Sequence, residues 1–438
     1  MAGAWIVVGA GTAGCVVAAR LSEDPHRQVV LVESGPDLVA GSVPAGIDAD
    51  NFFEAVDLAD RNDGDVLATR TAGGLTRPYR RGQGLGGSSV VNAMVALRGD
   101  SNLYRSWGWD DAPAAWSAMA LPEELPLESE LGAIDRALLG ADSDARRVPL
   151  TRRDGRRVTA AEAYLWPARG RPNLTVRTNS TVERVALNGR RAVGVVLSTG
   201  EEIQAGRVVL SAGAIRTPAL LLRSGFDTPG IGLRLQDHPS APLALALRAG
   251  VAADPAGLVI GTFRQRDGVQ FLPMNHLGPD APRLGMLLVT LMTPRSRAGT
   301  VRVDPLGEPI VDFALLDDPS DLRALAKGVG DAVSLLGTAP FADVVDQVYV
   351  DDSGTTIDEL ADGASIERWL PAALGECVHA SGSCAMGSVV DADGAVLGFE
   401  SVYVCDASVF PTIPDANTHL PTTMLAERLT ARWRRGDP

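Results

Sequence analysis

The chain has 438 residues, of which 45% are hydrophobic, 21% charged and 5% aromatic, a composition typical of a globular protein of two or three domains. Its 54 acidic and 40 basic residues give a net charge of −14 at pH 7, which disfavours nucleic acid as a partner. Four irregularly spaced cysteines predict neither a disulfide scaffold nor a zinc site, so no metal is expected. No leader pattern and no membrane span are found, and we predict a cytoplasmic protein.

The N-terminal segment predicts a βαβ unit. An apolar strand from Trp5 to Val8 is followed by a glycine turn, an apolar-periodic helix from Ala13 to Leu21 and a second apolar strand from Val29 to Val32. Strands connected in this way lie parallel, so the unit predicts a parallel sheet.

Later segments predict a second, antiparallel sheet. Residues 36–75 have little periodicity and are interpreted as loop or cap, whereas residues 173–213 contain several strands with hairpin turns at Asn188-Gly189 and Thr199-Gly200. Short alternating runs between residues 241 and 350 indicate an antiparallel sheet crossed by a helix from Asp321 to Leu336. The chain then returns to a strand at 402–405 and a helix at 421–433.

A glycine motif in the first turn predicts a dinucleotide site. The sequence Gly9-Ala-Gly11-Thr12-Ala13-Gly14 follows a strand and opens a helix, so its backbone can approach a pyrophosphate at the helix N-terminus. Glu33 ends the second strand, where a carboxylate can accept hydrogen bonds from a ribose diol. The motif alone does not separate NAD from FAD.

A second glycine cluster favours a flavin. The run from Gly82 to Asn92 includes Gly86, Gly87 and Ser88, whose small side chains let backbone N–H groups approach a flat, anionic ring. A nicotinamide has no such requirement.

Taken together, these motifs resemble the glucose-methanol-choline oxidoreductases, which bind FAD. The resemblance spans nearly the whole chain, in the family's order, through these segments: 9–14 with Glu33, 82–92, 211–225, 235–239, 379–387, 405–411 and 418–422. It implies an α/β (α+β overall) fold, with a Rossmann-like FAD-binding domain of residues 1–100, 172–240 and 376–438. The second, substrate-binding domain of residues 101–171 and 241–375 is built on the antiparallel sheet.

The resemblance also implies residue roles toward FAD. Glu33 would hold the adenosine ribose, Val182 would lie near the adenine, and the loop from Gly86 to Asn92 would lie against the isoalloxazine ring. Asp406 and Ala407 would meet the pyrophosphate and ribityl chain, and the segment with Pro421 and Thr422 would meet the pyrimidine end of the flavin. Some family members link FAD covalently to a histidine; that position is Val91 here, so the flavin is expected to be non-covalent.

The segments 37–72 and 106–145 look abbreviated for the family, as does the approach to Pro229. Such segments form lids and pocket walls, so the resemblance leaves the substrate open.

Five histidines are candidates for the group that accepts the alcohol's hydroxyl proton, because neutral imidazole is suited to this near pH 7. His379 and His419 match the family's active-site pair; which one is the base stays open, with His379 favoured. His238 lies in a Gln-Asp-His-Pro turn and is predicted to be structural. His26 lies in a surface turn, and His276 belongs to no motif.

Three functions are compatible with these motifs. The first is FAD-dependent oxidation of a primary alcohol or a sugar-like hydroxyl to the carbonyl, with oxygen, a quinone or a redox protein as electron acceptor. The second is a redox-neutral lyase of the same fold that cleaves a cyanohydrin, and the third is a non-catalytic flavoprotein. Retention of both histidines favours catalysis.

Overall fold

The structure is a computed structural model that describes residues 3–64, 66–251, 254, 257–278, 280–281, 283–360 and 362–436. Its helices of four or more residues are Thr12–Leu21, Ala45–Asp48, Phe52–Val56, Ser101–Ser106, Ala112–Ala118, Ala133–Ala141, Gly213–Arg223, Pro319–Leu336, Ala339–Ala342, Gly363–Ala373 and His419–Arg435. Short 3₁₀ turns include Gly87–Ser89 and Ala407–Val409. In this part of the chain, no helix combines the length and apolar character needed to cross a bilayer.

A five-stranded parallel sheet confirms the βαβ prediction. Its strands, in spatial order, are Leu174–Arg177, Val29–Val32, Trp5–Val8, Arg207–Leu210 and Val402–Val404. The strands Trp5–Val8 and Val402–Val404 are buried throughout, which explains why they are apolar runs, whereas the edge strand Leu174–Arg177 is partly exposed and carries polar residues. Distant segments therefore build one sheet; the predicted domain bounds themselves stay a prediction.

The helices Thr12–Leu21 and His419–Arg435 pack together beside this sheet. Trp433 of the last helix lies against Trp5 of the first strand, with ring centroids 5.7 Å apart. This helix begins at His419, two residues before the predicted start at Pro421, because proline is tolerated in a first turn whose N–H groups have no helical partner.

The predicted antiparallel sheet is confirmed and has seven strands, six in one spatial order and a seventh paired at the side. Its strands, in spatial order, are Val345–Tyr349, Pro239–Leu247, Leu284–Leu291, Val269–Met274, Thr262–Arg266 and Arg146–Arg147, with Gly375–Glu376 also paired to Pro239–Leu247. The predicted helix is observed as Pro319–Leu336 and packs on this sheet. Gly328 is small enough for the helix to approach, since a Cβ there would lie 2.9 Å from Val269.

A three-stranded sheet, a second five-stranded sheet and two two-stranded ribbons make up the other sheets of the described residues. The predicted hairpins form the strands Val182–Asn188, Arg191–Leu197 and Glu202–Gln204. The segment interpreted as loop or cap contributes one strand, and the residues directly after it a second, to a five-stranded sheet in the order Leu233–Leu235, Gly299–Val303, Pro309–Asp312, Leu67–Thr69 and Thr76–Pro78. Sequence periodicity missed these strands because each has only three residues.

Candidate active site

A cavity of about 710 Å³ opens at the carboxyl ends of the parallel strands. Val8, Val32 and Ser211 line it on that side, and Leu272 and Leu288 line it from the antiparallel sheet. Ligands of open α/β folds bind in this place, outside the carboxyl ends of the strands. The fold therefore places the two glycine motifs and the antiparallel sheet around one cavity.

The three glycines of the first motif do different work. Gly9 has a φ of +93°, and a Cβ on it would lie 2.6 Å from the Ser211 carbonyl oxygen. A Cβ on Gly14 would lie 1.8 Å from the Gly9 carbonyl oxygen, so Gly14 serves helix packing and does not line the cavity. Gly11 is the N-cap of the helix and has no side chain to occupy the helix N-terminus. A Cβ built on it would meet no atom within 4 Å. The helix N-terminus is thus free to receive an anion.

Glu33 joins the two glycine clusters. Its Oε2 accepts a hydrogen bond from the Ala10 N–H (2.7 Å), and its Oε1 accepts from Gly35 N–H (2.9 Å) and Gly84 N–H (3.1 Å). The Ser34 hydroxyl also donates to Oε1 (3.3 Å), so among the described residues Oε2, which accepts one hydrogen bond, is the oxygen that keeps a lone pair for a ligand in the cavity that Glu33 lines. Sequence reasoning assigned Glu33 to a ribose but missed this anchoring of the loops.

The second glycine cluster packs directly on the first. The Gly86 N–H donates to the Ala10 carbonyl (2.8 Å), and a Cβ on Gly87 would lie 2.7 Å from the Cα of Gly11. Gly87 and Ser88 line the cavity, whereas Gly86 does not. The small size of Gly86 and Gly87 therefore allows the two glycine loops to stack on each other.

Arg157 supports the same loop from behind and was missed. Its side chain is 1% exposed, and Nη1 donates to the carbonyl oxygen (2.6 Å) and Oδ1 (2.8 Å) of Asn92. Burial lowers the pKa of Arg157 to about 10, which leaves it charged at neutral pH. No sequence pattern distinguishes this arginine from the many on the surface.

The remaining predicted cofactor residues surround the cavity, with one exception. Val182, Asp406, Ala407 and Thr422 line it, whereas Pro421 is buried in the helix. The buried Asp406 carboxylate accepts hydrogen bonds from the Gly213 N–H (2.9 Å) and the Thr217 hydroxyl (2.6 Å), and burial raises its pKa.

His379 and His419 line the same cavity, as the motif interpretation expects. Burial lowers the pKa of both rings, to about 4 for His419, where the Arg157 charge adds to the effect, and in the same direction for His379. Both imidazoles are therefore neutral at physiological pH and able to exchange a proton.

His238, which is predicted to be structural, lies directly against His379. Its Nδ1 lies 3.0 Å from Nδ1 of His379, and its Nε2 lies 2.9 Å from the carbonyl oxygen of Pro414. The two histidines are 141 positions apart in the chain, so no local sequence pattern indicates this contact. His26 is exposed, and His276 is buried outside the cavity.

Asp237 joins this histidine pair without forming an evident metal site. Ligand atoms of Asp237, His238 and His379 lie within 4.8 Å of one another. The Asp237 carboxylate, however, accepts the backbone N–H groups of both histidines and the Tyr79 hydroxyl (2.7 Å), and the two rings bond to each other. Hydrogen bonding accounts for the cluster.

His419 has a different partner. Its Nδ1 lies 3.1 Å from the hydroxyl of Thr12, at the first turn of the glycine-motif helix. Among the described residues, no partner meets the buried Nε2 of His419 or the buried Oδ1 of Asn417, although both residues line the cavity. Such orphaned groups fit a polar ligand. Together with the open helix N-terminus beside Gly11, they fit a dinucleotide carrying a polar ring.

Comparison with known proteins identifies the family. Residues 4–133 and 133–240 match the N-terminal family model described as GMC oxidoreductase, and residues 294–426 match the C-terminal one. The chain belongs to the GMC oxidoreductases, and FAD is its cofactor.

Named relatives and a solved structure agree with this assignment. The chain is 31% identical to 5-(hydroxymethyl)furfural oxidase from Methylovorus sp., over 97% of each chain, and 28% identical to an alcohol dehydrogenase [acceptor] from Pseudomonas putida, over 97% of this chain and 94% of that one. A structure of pyridoxine 4-oxidase from Mesorbium loti superposes with a TM-score of 0.88 at 25% identity, covering 99% of both chains. The protein is an FAD-dependent oxidoreductase that acts on CH–OH groups.

Proposed function

We propose that this enzyme oxidises an apolar primary alcohol to the aldehyde, with His379 as the base and His419 as the partner of the substrate oxygen. The observation that carries the proposal is that both histidines line one cavity while each has its Nδ1 occupied, by His238 and by Thr12. Each ring thus has Nε2 left for chemistry.

The reaction divides the two hydrogens of the carbinol group. FAD, when bound, supplies the acceptor for the hydride that leaves the carbinol carbon with both electrons. His379 accepts the hydroxyl proton at Nε2, so alcohol, proton acceptor and hydride acceptor balance to give the carbonyl. His419 donates a hydrogen bond from Nε2 to the oxygen as negative charge develops there.

Residues predicted to hold FAD are disposed to do so. The N-terminus of helix Thr12–Leu21 would receive the pyrophosphate, and Glu33 would accept a ribose hydroxyl at its open lone pair. The stacked loops carrying Gly87 and Ser88 would lie against the flavin. Val91 supports a non-covalent flavin, since its side chain offers no nucleophile.

The wall from the antiparallel sheet supports an apolar substrate. Ile260, Leu272, Met274 and Leu288 line the cavity there, and Phe52 adds an aromatic ring. Carbon side chains favour an alkyl or aryl alcohol, because the several hydroxyls of a sugar would lose water without hydrogen-bonding partners. The alignment with the furfural oxidase runs over 539 positions, against 438 residues here, so that relative carries segments that this chain lacks.

An anaerobic panel of alcohols tests this proposal. Benzyl alcohol and hexanol are expected to bleach the flavin faster than glucose does, because burying their carbon surface in the cavity is favourable. Faster bleaching by glucose contradicts the substrate proposal, and mandelonitrile cleavage without any bleaching by alcohols favours the lyase.

Reoxidation of the bleached enzyme then identifies the electron acceptor. Oxygen, a quinone and a redox protein are the three predicted classes, and adding each in turn separates them by the rate at which absorbance returns. The cytoplasmic location stays a prediction, which cell fractionation tests.

A further inference from the structure

We propose that His238 is a positioning residue that fixes the tautomer of His379, so that Nε2 of His379 always presents its lone pair to the substrate. The inference rests on the proposed role of His379 as base. It assigns a function to the Gln-Asp-His-Pro segment, which belongs to no cofactor or substrate contact described above.

The chain of hydrogen bonds begins at a backbone carbonyl. The Pro414 oxygen, 2.9 Å from Nε2 of His238, can only accept, so Nε2 of His238 carries the hydrogen. His238 is 0% exposed, and burial lowers its pKa to about 4, which keeps the ring neutral. A neutral imidazole has one N–H, and therefore Nδ1 of His238 is an acceptor.

The same logic passes to the second ring. Nδ1 of His379 lies 3.0 Å from this acceptor and must donate to it. Because His379 is also neutral, its hydrogen is used at Nδ1 and its Nε2 has a lone pair. A general base needs this state, and the opposite tautomer would present an N–H that cannot take up a proton.

Asp237 and Tyr79 hold the two rings in register. The Asp237 carboxylate accepts the N–H groups of His238 (2.7 Å) and His379 (2.9 Å), and the Tyr79 oxygen accepts the N–H of Ala380 (3.0 Å). Burial raises the pKa of Asp237 to about 7, and the Tyr79 hydroxyl, which donates to it, partly offsets this. The strands and loops carrying the rings are thereby fixed at the backbone, while the ring nitrogens are fixed by each other.

The backbone before His379 is fixed as well. Val378 has a φ of +55°, an uncommon value for a β-branched residue, and its carbonyl accepts a hydrogen bond from Arg81. Glu376, two residues earlier, is bound by Arg70 (2.9 Å). A ring on so constrained a segment keeps its direction, which leaves the proton position as the remaining variable.

His276 supplies a matched control. It is also a buried histidine (1% exposed), its Nε2 donates to a carbonyl, that of Gly257 (2.9 Å), and its Nδ1 accepts an N–H. Within the described part of the chain its two ring nitrogens meet backbone groups and not another ring, and it does not line the cavity.

The first experiment compares His238→Leu, His238→Asn and His276→Leu holoenzymes by anaerobic flavin reduction, with FAD content measured in each. We expect His238→Leu to retain FAD and lose roughly 10- to 100-fold in the reduction rate, the usual cost of removing a residue that orients a functional histidine. His238→Asn, whose amide oxygen falls near the position of Nδ1, is expected to recover much of the loss. His276→Leu should leave the rate unchanged.

The second experiment reads the tautomer directly in the unaltered holoenzyme, and variants serve only to assign the signals. Selective isotope labelling of the five histidine rings, with His379→Ala and His238→Asn used to assign their signals, gives the protonated nitrogen of each ring by NMR. We expect the hydrogen on Nδ1 of His379 and on Nε2 of His238. A hydrogen on Nε2 of His379 overturns the inference, as does a His238→Leu rate equal to that of His276→Leu. Rapid reduction in His379→Ala instead overturns the proposed base, whatever the tautomer.

Discussion

His379 and His419 reach one cavity from differently built frameworks. His379 follows the short strand Gly375–Glu376 of the antiparallel sheet, and its ring meets a second ring whose hydrogen is fixed by a backbone carbonyl. His419 begins the last helix beside the parallel sheet, and its ring meets the hydroxyl of Thr12, which can donate or accept.

This difference is consistent with the division of labour that we propose for the two rings. A base needs one unchanging lone pair, and the Pro414, His238 and His379 series provides it. A group that follows the substrate oxygen from alcohol to carbonyl gains from an adjustable partner, because a hydroxyl can rotate as the charge changes. The variants below test whether the two rings differ as this account requires.

The largest effect is expected for His379→Ala. Losing the proton acceptor should slow anaerobic flavin reduction by about 10³- to 10⁴-fold, the upper part of the range for a positioned base, while FAD stays bound. Stopped-flow absorbance measures the rate. Rapid reduction in this variant contradicts the proposal that His379 is the base.

A smaller loss is expected for His419→Ala, about 10²-fold, since it removes one hydrogen bond to developing charge. His419→Asn keeps a donor and should lose less. The double variant with His379→Ala should be much less than multiplicatively slower, because groups that act as one unit are non-additive. Release of FAD from His419→Ala shows instead that this ring retains the cofactor.

Neither His379 nor His419 should add an inflection to the pH dependence of reduction over the range in which an ordinary histidine titrates. The buried Asp237 carboxylate, which accepts the backbone N–H of His379 and whose pKa is raised to about 7, is the nearby group that titrates there. Burial lowers the pKa of His419 to about 4 and moves His379 in the same direction, so both rings stay neutral as pH falls from 8 through 6.5. The two rings should lower the rate only on further acidification, as protonation of His379 removes its lone pair. An inflection near pH 6.5 that persists in Asp237→Asn contradicts this.

The smallest effect is expected for Thr12→Val, which removes the hydroxyl beside His419. A net hydrogen-bond contribution of about 0.5 to 1.5 kcal/mol predicts a roughly two- to tenfold slower reduction. Thr12→Ser is the control, since it keeps the hydroxyl and should react as the parent does. Equal rates in Val and Ser variants show that Thr12 does not act through His419.

The strands and the first glycine turn could be predicted because they depend on local sequence patterns. The site could be predicted only in part, because several of its contacts join residues that are distant in the chain. The strands Trp5–Val8 and Val29–Val32 are uninterrupted apolar runs, and the Gly9 to Gly14 spacing carries its own meaning, so both were evident from the sequence. The contact of His238 with His379, and the burial of Arg157 under the Asn92 loop, depend on how the two sheets meet. Neither contact produces a periodic sequence pattern. Arg157 in addition cannot be told apart from the many other arginines of the chain.

The most direct test of the account is anaerobic mixing of the FAD-loaded enzyme with benzyl alcohol and with its form deuterated at the carbinol carbon. Hydride transfer from that carbon predicts bleaching of the flavin that is several-fold slower with the deuterated alcohol, and almost abolished in both cases by His379→Ala. Flavin that stays oxidised with every alcohol, or bleaching that is indifferent both to deuterium and to His379, contradicts the account.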